Sequence, residues 1–396
     1  MLSRMFLSNK ESWNAVNAVV SCCARIALVC TMLCSLSGCN GSALARWLSG
    51  ADMQQNPQKI SSNVLPPPPA TVVTPSPEAL NADTKTDIHA ESKYSTAVHS
   101  LLIQQQFDTL DAMADSLRES KIKFSGGSWK LLTFYGGLLE FPGRNVVGQG
   151  DWQIRILLLQ RWASLKPESV TARVALAEAY YEYAWQARGN GYANSVQDYQ
   201  WTQFEDRLKL ARQALEEAAQ LKVRCPEWYL AMLRISMGQG WDRAQEDALF
   251  AQAIAFAPTY RAYYIQHVNY LTPKWFGREG EWENFAERIS TQLGPKEGPI
   301  VYFRIATNFN CCNYDGSAIF TTAHLSWEKV KQGCHVIEQV YGASLDNLND
   351  CARLAGEAED RPYARQLFAR IGDNWDVDTW RNRQAFDAAR AWAMSK

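Results

Sequence analysis

Cys311-Cys312, His324 and Cys334-His335 form the densest set of metal-ligating and nucleophilic side chains in the chain. Zinc takes four nitrogen or sulfur ligands in a tetrahedron. This spacing matches none of the usual zinc patterns, and neighbours such as 334 and 335 on a helix point about 100° apart. A catalytic Cys334–His335 pair fails on the same geometry, because nucleophile and base converge from separate elements. No metal and no other cofactor is therefore expected. A disulfide is the plainer use of these cysteines. Cys334 and Cys351 flank a helix-to-helix turn at Gly342, so a bridge across that hairpin is open if the Cα atoms come within about 7 Å. Pairing of Cys311 or Cys312 with Cys334 is one alternative, and buried unpaired thiols are another.

Other chemistry has less to stand on. No GxSxG, HExxH or Walker-type loop occurs. Gly126-Gly127-Ser128-Trp129 lacks the strand that a nucleophile elbow requires. Glu178, Glu182, Glu205 and Glu216-Glu217 supply the carboxylates that acid–base catalysis uses. On helices so rich in charge, a solvated face is the expectation for them. No catalytic residue is assigned, and the chain reads as a binding protein rather than an enzyme. Aromatic residues are the remaining candidates, with Trp unusually common at 15. Trp129, Phe134, Tyr135, Trp152, Tyr180, Tyr181 and Trp228 are expected mostly in the core, where such rings bury large areas. Trp185, Tyr192, Tyr199 and Trp201 lie in or beside the polar stretch "RGNGYANSVQDYQW". Loops on a rigid scaffold commonly carry binding, and Trp and Tyr anchor interfaces. These four are the candidate partner-binding residues.

The elements that would position such a surface are helices. Phe107, Leu110, Met113 and Leu117 recur three or four apart; so do Val174, Ala177, Tyr181 and Ala184. Phe204, Leu208, Ala211, Leu215 and Ala218 make another stripe, and Ala364, Leu367, Phe368 and Ile371 a further one. Each stripe is one apolar helix face, and the period-2 alternation of strands is missing. Pro and Gly punctuate the pattern at Pro167, Gly189, Pro226, Gly238, Pro258, Pro273, Gly294-Pro295, Gly342 and Gly372.

Pro226 and Pro258 lie 32 residues apart and bracket two helices around a Gly turn. This spacing resembles a degenerate tetratricopeptide (TPR) repeat, whose period is about 34. Leu345 to Ile371 reads as a second compact pair, broken near Asp360. One such hairpin cannot bury its own stripe, so stacked neighbours must build the core. The fold class is all-α, a TPR-like array of helical hairpins (an α-solenoid). "FSGGSWKLLTFYGGL" and "ARQLFARIGDNWDVDTW" resemble an uncharacterised bacterial family with TPR-like helices. That resemblance implies a helical array and a bacterial origin, and no reaction.

The N-terminal part reads as an address. Arg4, Lys10 and Arg25 precede an apolar run, Ile26 to Leu36, of signal-peptide length. It is shorter than the roughly 20 apolar residues a membrane span needs, and extending it backwards would bury Arg25. Leu36-Ser37-Gly38-Cys39 resembles the lipobox of bacterial lipoproteins. The resemblance implies cleavage before Cys39 and acylation of that residue by diacylglycerol and a fatty chain such as palmitate. Asn40 in place of Asp implies sorting to the outer membrane, facing the periplasm. Two or more acyl chains make a stable anchor, at about 0.8 kcal/mol per buried CH₂. The Pro-rich stretch "NVLPPPPATVVTPSPEAL" reads as a disordered tether.

The organisation expected is therefore a signal peptide over 1–38, a tether over 39–92 and a helical-repeat domain over 93–396. Lys plus Arg number 40 against 41 for Asp plus Glu, which gives no basis for nucleic-acid binding. The expected function is an envelope lipoprotein whose array binds a protein or peptide partner, held to the membrane by its lipid anchor. A carbohydrate-binding or hydrolytic lipoprotein acting on cell wall is one alternative. An immunity or stress-protection lipoprotein is another.

Overall fold

A computed structural model describes residues 75–144, 146–189, 191, 193–312 and 318–395. The expected signal peptide, Cys39, most of the expected tether, Tyr192 and the side chains of Cys311 and Cys312 lie outside the described residues. Apart from 193–195, the described residues form one compact unit. It is an all-α array of helical hairpins, with eighteen α-helices and no strand among the described residues.

The first helix falls inside the stretch read as tether. Ser76 Oγ accepts the Ala79 N–H, and Pro77 occupies the first turn, where a missing donor costs nothing. The result is α1 (Pro77–Asn81). Asp83 accepts the Ser125 N–H at 3.1 Å, and the Thr84 hydroxyl donates to the Ser125 carbonyl at 2.6 Å. The fold thus reaches back to residue 75. A Ser-Pro-Glu run that looks like spacer by composition is here a capped helix start.

Next come α2 (Ala90–Ile103), α3 (Phe107–Ser120) and α4 (Lys130–Leu139), with α2 packed on α4. The long helices α5 (Gln149–Leu165), α6 (Val170–Arg188) and α7 (Asp198–Ala219) pack in series. Tyr199 and Trp201 sit in the first turn of α7, not in a loop. Gln197 begins that helix, its N–H accepted by Gln200 Oε1 at 3.0 Å.

The 226–258 interval is one hairpin. Pro226 opens α8 (Pro226–Gln239), and Asp242 caps α9 (Arg243–Phe256) by accepting the Gln245 N–H at 2.9 Å. Then follow α10 (Ala262–Tyr270), α11 (Glu281–Gln292), α12 (Gly294–Cys312) and the short α13 (Ala318–Thr321). Ser326 caps α14 (Trp327–Tyr341), which packs on α12 and leads to α15 (Leu345–Glu357). Asp360 caps α16 (Arg361–Ile371), and α17 (Val377–Trp380) and α18 (Arg383–Met394) complete the array. A disulfide joins Cys334 on α14 to Cys351 on α15, their Cα atoms 6.2 Å apart.

Hairpin by hairpin, the apolar stripes meet in one continuous core. Phe107 stacks on Trp162 at 5.5 Å, and Trp282 stacks on Phe309 at 4.2 Å. Each such ring contributes about 1.5–3 kcal/mol through burial.

Several long-range contacts come from the loop between α3 and α4. Lys123 and Trp129 form an isolated antiparallel bridge, and between them Gly126 and Gly127 have φ of +79° and +85°. The Gly127 carbonyl accepts Arg261 Nη1 at 2.8 Å. The Gly126 carbonyl accepts Asn347 Nδ2 at 3.2 Å and Arg304 Nη2 at 3.5 Å. The Gly126 N–H donates to the Tyr341 carbonyl at 3.2 Å, and Trp129 Nε1 donates to the Thr259 carbonyl at 2.9 Å. These bonds tie the loop to residues up to 221 positions away. A Cβ on Gly127 would lie 2.8 Å from Arg261 Nη1 and 2.9 Å from the Tyr341 ring, in a backbone region that side chains rarely adopt.

We therefore expect Gly127→Ala to destabilise the fold by about 2–4 kcal/mol. Thermal or denaturant melting checks this; an unchanged midpoint would mean that the close approach is not required.

Candidate functional site

A cavity of about 920 Å³ opens where these contacts converge. Its walls come from α2, the 125–129 loop, α8, the 259–262 segment, α10, α12, α15 and the start of α17. No single helix builds it, so it depends on the contacts that hold these elements together.

Three of its arginines are fixed by the scaffold. Arg304 Nη2 donates to Asn347 Oδ1 at 2.5 Å, and Arg304 Nη1 pairs with Asp350 at 3.4 Å. Arg261 donates to Gly127 and pairs with Glu297 at 3.1 Å. Arg234, on α8, pairs with Glu178 at 2.6 Å and lies 3.8 Å from Glu227. Its charge-rich helix predicts a solvated Glu178, yet the residue is 1 % exposed. The correction has a simple cause: the balancing cation comes from a helix 56 residues later, which helix-local charge counting does not see. Tyr260 donates to Glu227, whose carboxyl is raised above the ordinary range, first by burial and then by Glu178 beside it.

The opposite charge gathers on α15. Asp346 and Asp350 lie one turn apart and both line the cavity, as do Glu91, Asp376 and Asp378. Burial, then the Glu91, Asp350 and Asp376 carboxylates, push Asp346 up to about 8, against the pull of Arg304. Asp350 is pushed up to about 6 by burial; Arg304 holds it down and Asp376 raises it. Asp378 is also raised, by burial and by Asp376. These groups carry no motif. The readable signal is weak: two acids four apart on α15, with Arg353 one turn from Asp350 and no Lys or Arg one turn from Asp346.

The aromatics named from sequence are only partly brought together. Trp185 and Trp201 both pack edge-on against Phe204, at 5.0 and 5.8 Å, and Arg188 lies 5.3 Å from each ring. Tyr199 is 54 % exposed. None of the three lines the cavity. Trp129, Phe134, Tyr135 and Trp152 are buried in the core, while Tyr180, Tyr181 and Trp228 pack against it half-buried.

Cys334 is spent in its disulfide. Glu246, Asp247 and His267 come close together, but Glu246 is bonded to His267 Nδ1 at 2.9 and 3.0 Å. Asp247 accepts Arg243 through both oxygens, and the His267 ring stacks on Phe250 at 4.0 Å. Glu246 and His267 form a buried clamp between α9 and α10, with the exposed Asp247 held by Arg243 beside them.

No family model matches the chain, and no curated protein or solved structure matches it.

Asp346 supplies a pH test with a definite sign. Its pKa in the fold lies above the value of an unfolded Asp, so its contribution to stability is full below about pH 4 and is lost as pH rises toward 8. Asp346→Asn removes that loss. Its melting temperature should match the parent near pH 4 and exceed it increasingly up to about pH 9, by about 2–4 °C per kcal/mol relieved. A gain independent of pH would contradict the crowding of carboxylates around Asp346.

Proposed function

We propose that this chain is a bacterial envelope lipoprotein whose helical array captures a protein or peptide segment in the cavity. The cavity itself carries the reading. Its volume accommodates several residues of extended chain, and its lining offers side-chain amides, hydroxyls and charges beside apolar surface from Leu230 and Ile265. The membrane anchor at Cys39 and the outer-membrane address rest on the lipobox-like run alone. Membership of the helical-repeat family rests on the two Trp- and Gly-containing stretches quoted above.

One observation favours a second reading, hydrolysis or binding of cell-wall carbohydrate. Asp346 and Asp350 present two carboxyls of different proton affinity in one cavity, with Trp129 in its lining. Trp129 weighs against it. The ring is 4 % exposed, its Nε1 is committed to Thr259, and Tyr260 meets it edge-on at 5.2 Å. A sugar would need an open ring face to stack on, so we hold to peptide capture.

The test uses the tagged full chain carrying Cys39→Ala, applied to a detergent extract of the envelope. We expect the variant to leave the membrane fraction and to retain a defined protein or peptide. Retention on purified peptidoglycan with no protein partner would overturn capture in favour of the second reading. A Cys39→Ala chain that stays in the membrane fraction would overturn the lipid anchor.

A further inference from the structure

The cavity holds carboxyl groups to which the described residues bring no cation. Three of its four arginines are matched by carboxylates outside it: Arg234 by Glu178, Arg261 by Glu297 and Arg353 by Glu357, none of which lines the cavity. Among the lining carboxylates only Asp350 has a cation, Arg304. Glu91, Asp346, Asp376 and Asp378 line the same space with no ion pair among the described residues. Glu91 accepts only the Thr133 hydroxyl, and Asp376 accepts the N–H and hydroxyl of Thr379. Asp346 has only a 3.5 Å contact from Ser344 Oγ.

An independent feature lies on α10. Gln266 is 8 % exposed and lines the cavity. Its one hydrogen bond runs from Nε2 to the Met237 sulfur at 3.5 Å, so its amide oxygen has no partner. That oxygen is not sealed from solvent, so a ligand N–H can reach it. Asn269 lies three residues further on the same helix and also lines the cavity; its side chain makes no hydrogen bond among the described residues. Two primary amides, each a donor and an acceptor, match the spaced N–H and C=O groups of a peptide backbone.

The ligand must therefore bring positive charge and backbone amides together. A divalent metal does not fit, because among the described residues no three of these carboxylates converge as a ligand set. Ammonium groups on long, flexible stems can reach separate carboxylates.

We propose that the cavity binds an extended, lysine-bearing peptide, with its backbone amides on Gln266 and Asn269 and its ammonium groups among Glu91, Asp346, Asp376 and Asp378. This rests on the capture reading above and names the class of segment captured.

Fluorescence anisotropy on the full chain carrying Cys39→Ala tests it, with three capped hexapeptides that alternate Ala with Lys, Gln or Glu. We expect the Lys peptide to bind about tenfold or more tighter than the Gln peptide, more weakly at high salt, and the Glu peptide not to bind. Asp346→Asn with Asp378→Asn should cost the Lys peptide about tenfold and leave the Gln peptide unchanged. Gln266→Ala should weaken both. Asp378→Asn alone, at an exposed position, gives the same readout in smaller measure if the double variant does not fold. Equal binding of Lys and Gln peptides would overturn the lysine assignment and leave peptide capture standing. Binding of none would overturn both. Spermidine bound as tightly as the Lys peptide, and indifferent to Gln266→Ala, would overturn the peptide in favour of a free polyamine.

Discussion

The carbonyls of Gly126 and Gly127 accept hydrogen bonds from Arg261, Arg304 and Asn347, which stand beside or on α10, α12 and α15. Two successive peptide units can offer their oxygens this way only because both residues hold positive φ and neither has a side chain in the path. A hydrogen bond from a charged donor contributes about 1.5–3 kcal/mol, and a buried guanidinium without one is costly. The loop and the arginines therefore need each other. Helix pairing along the sequence is local and can be satisfied hairpin by hairpin. These bonds join the loop to residues 134, 178 and 221 positions away.

The charge of the cavity follows from that junction. Arg261 and Arg304 satisfy their donors on loop carbonyls, which carry no countercharge. Each then requires a carboxylate, Glu297 for one and Asp350 for the other. Asp350, placed to meet Arg304, stands one turn from Asp346 on α15 and helps to raise it. Asp376 adds to the crowding while capping the short α17. A scaffold contact at one end thus leaves an acidic wall at the other. On α8 the balance is different: Arg234 pairs with Glu178, and burial with Glu178 beside it holds Glu227 toward its neutral form, so that side of the cavity is closer to neutral.

Much of the fold is legible in the sequence because its signals are local. The stripe Phe204, Leu208, Ala211, Leu215 and Ala218 is buried along α7, and the Pro226–Pro258 interval is the α8–α9 hairpin. Local signals also misled. Ser76-Pro77 looks like linker and is a helix cap, while Tyr199 and Trp201 look like loop residues and lie in the first turn of α7. The cavity was hidden for a different reason. Glu178 meets Arg234, Gly127 meets Arg261 and Gly126 meets Asn347 across separations that no periodicity encodes. The doublet Gly126-Gly127 was visible, but what it approaches was not. Asp346 and Asp350 resembled any solvated pair of acids until α12 and α17 were seen beside them.

Native-state hydrogen exchange reads the junction directly. The Gly126 N–H is held by the Tyr341 carbonyl, and the Leu345 N–H by the Thr84 carbonyl. If the loop joins the early and late helices into one cooperative unit, both amides are strongly protected and open together, with the same free energy, as denaturant rises. A Gly126 amide that exchanges freely while Leu345 stays protected would show that the loop merely rests on those helices and does not tie them.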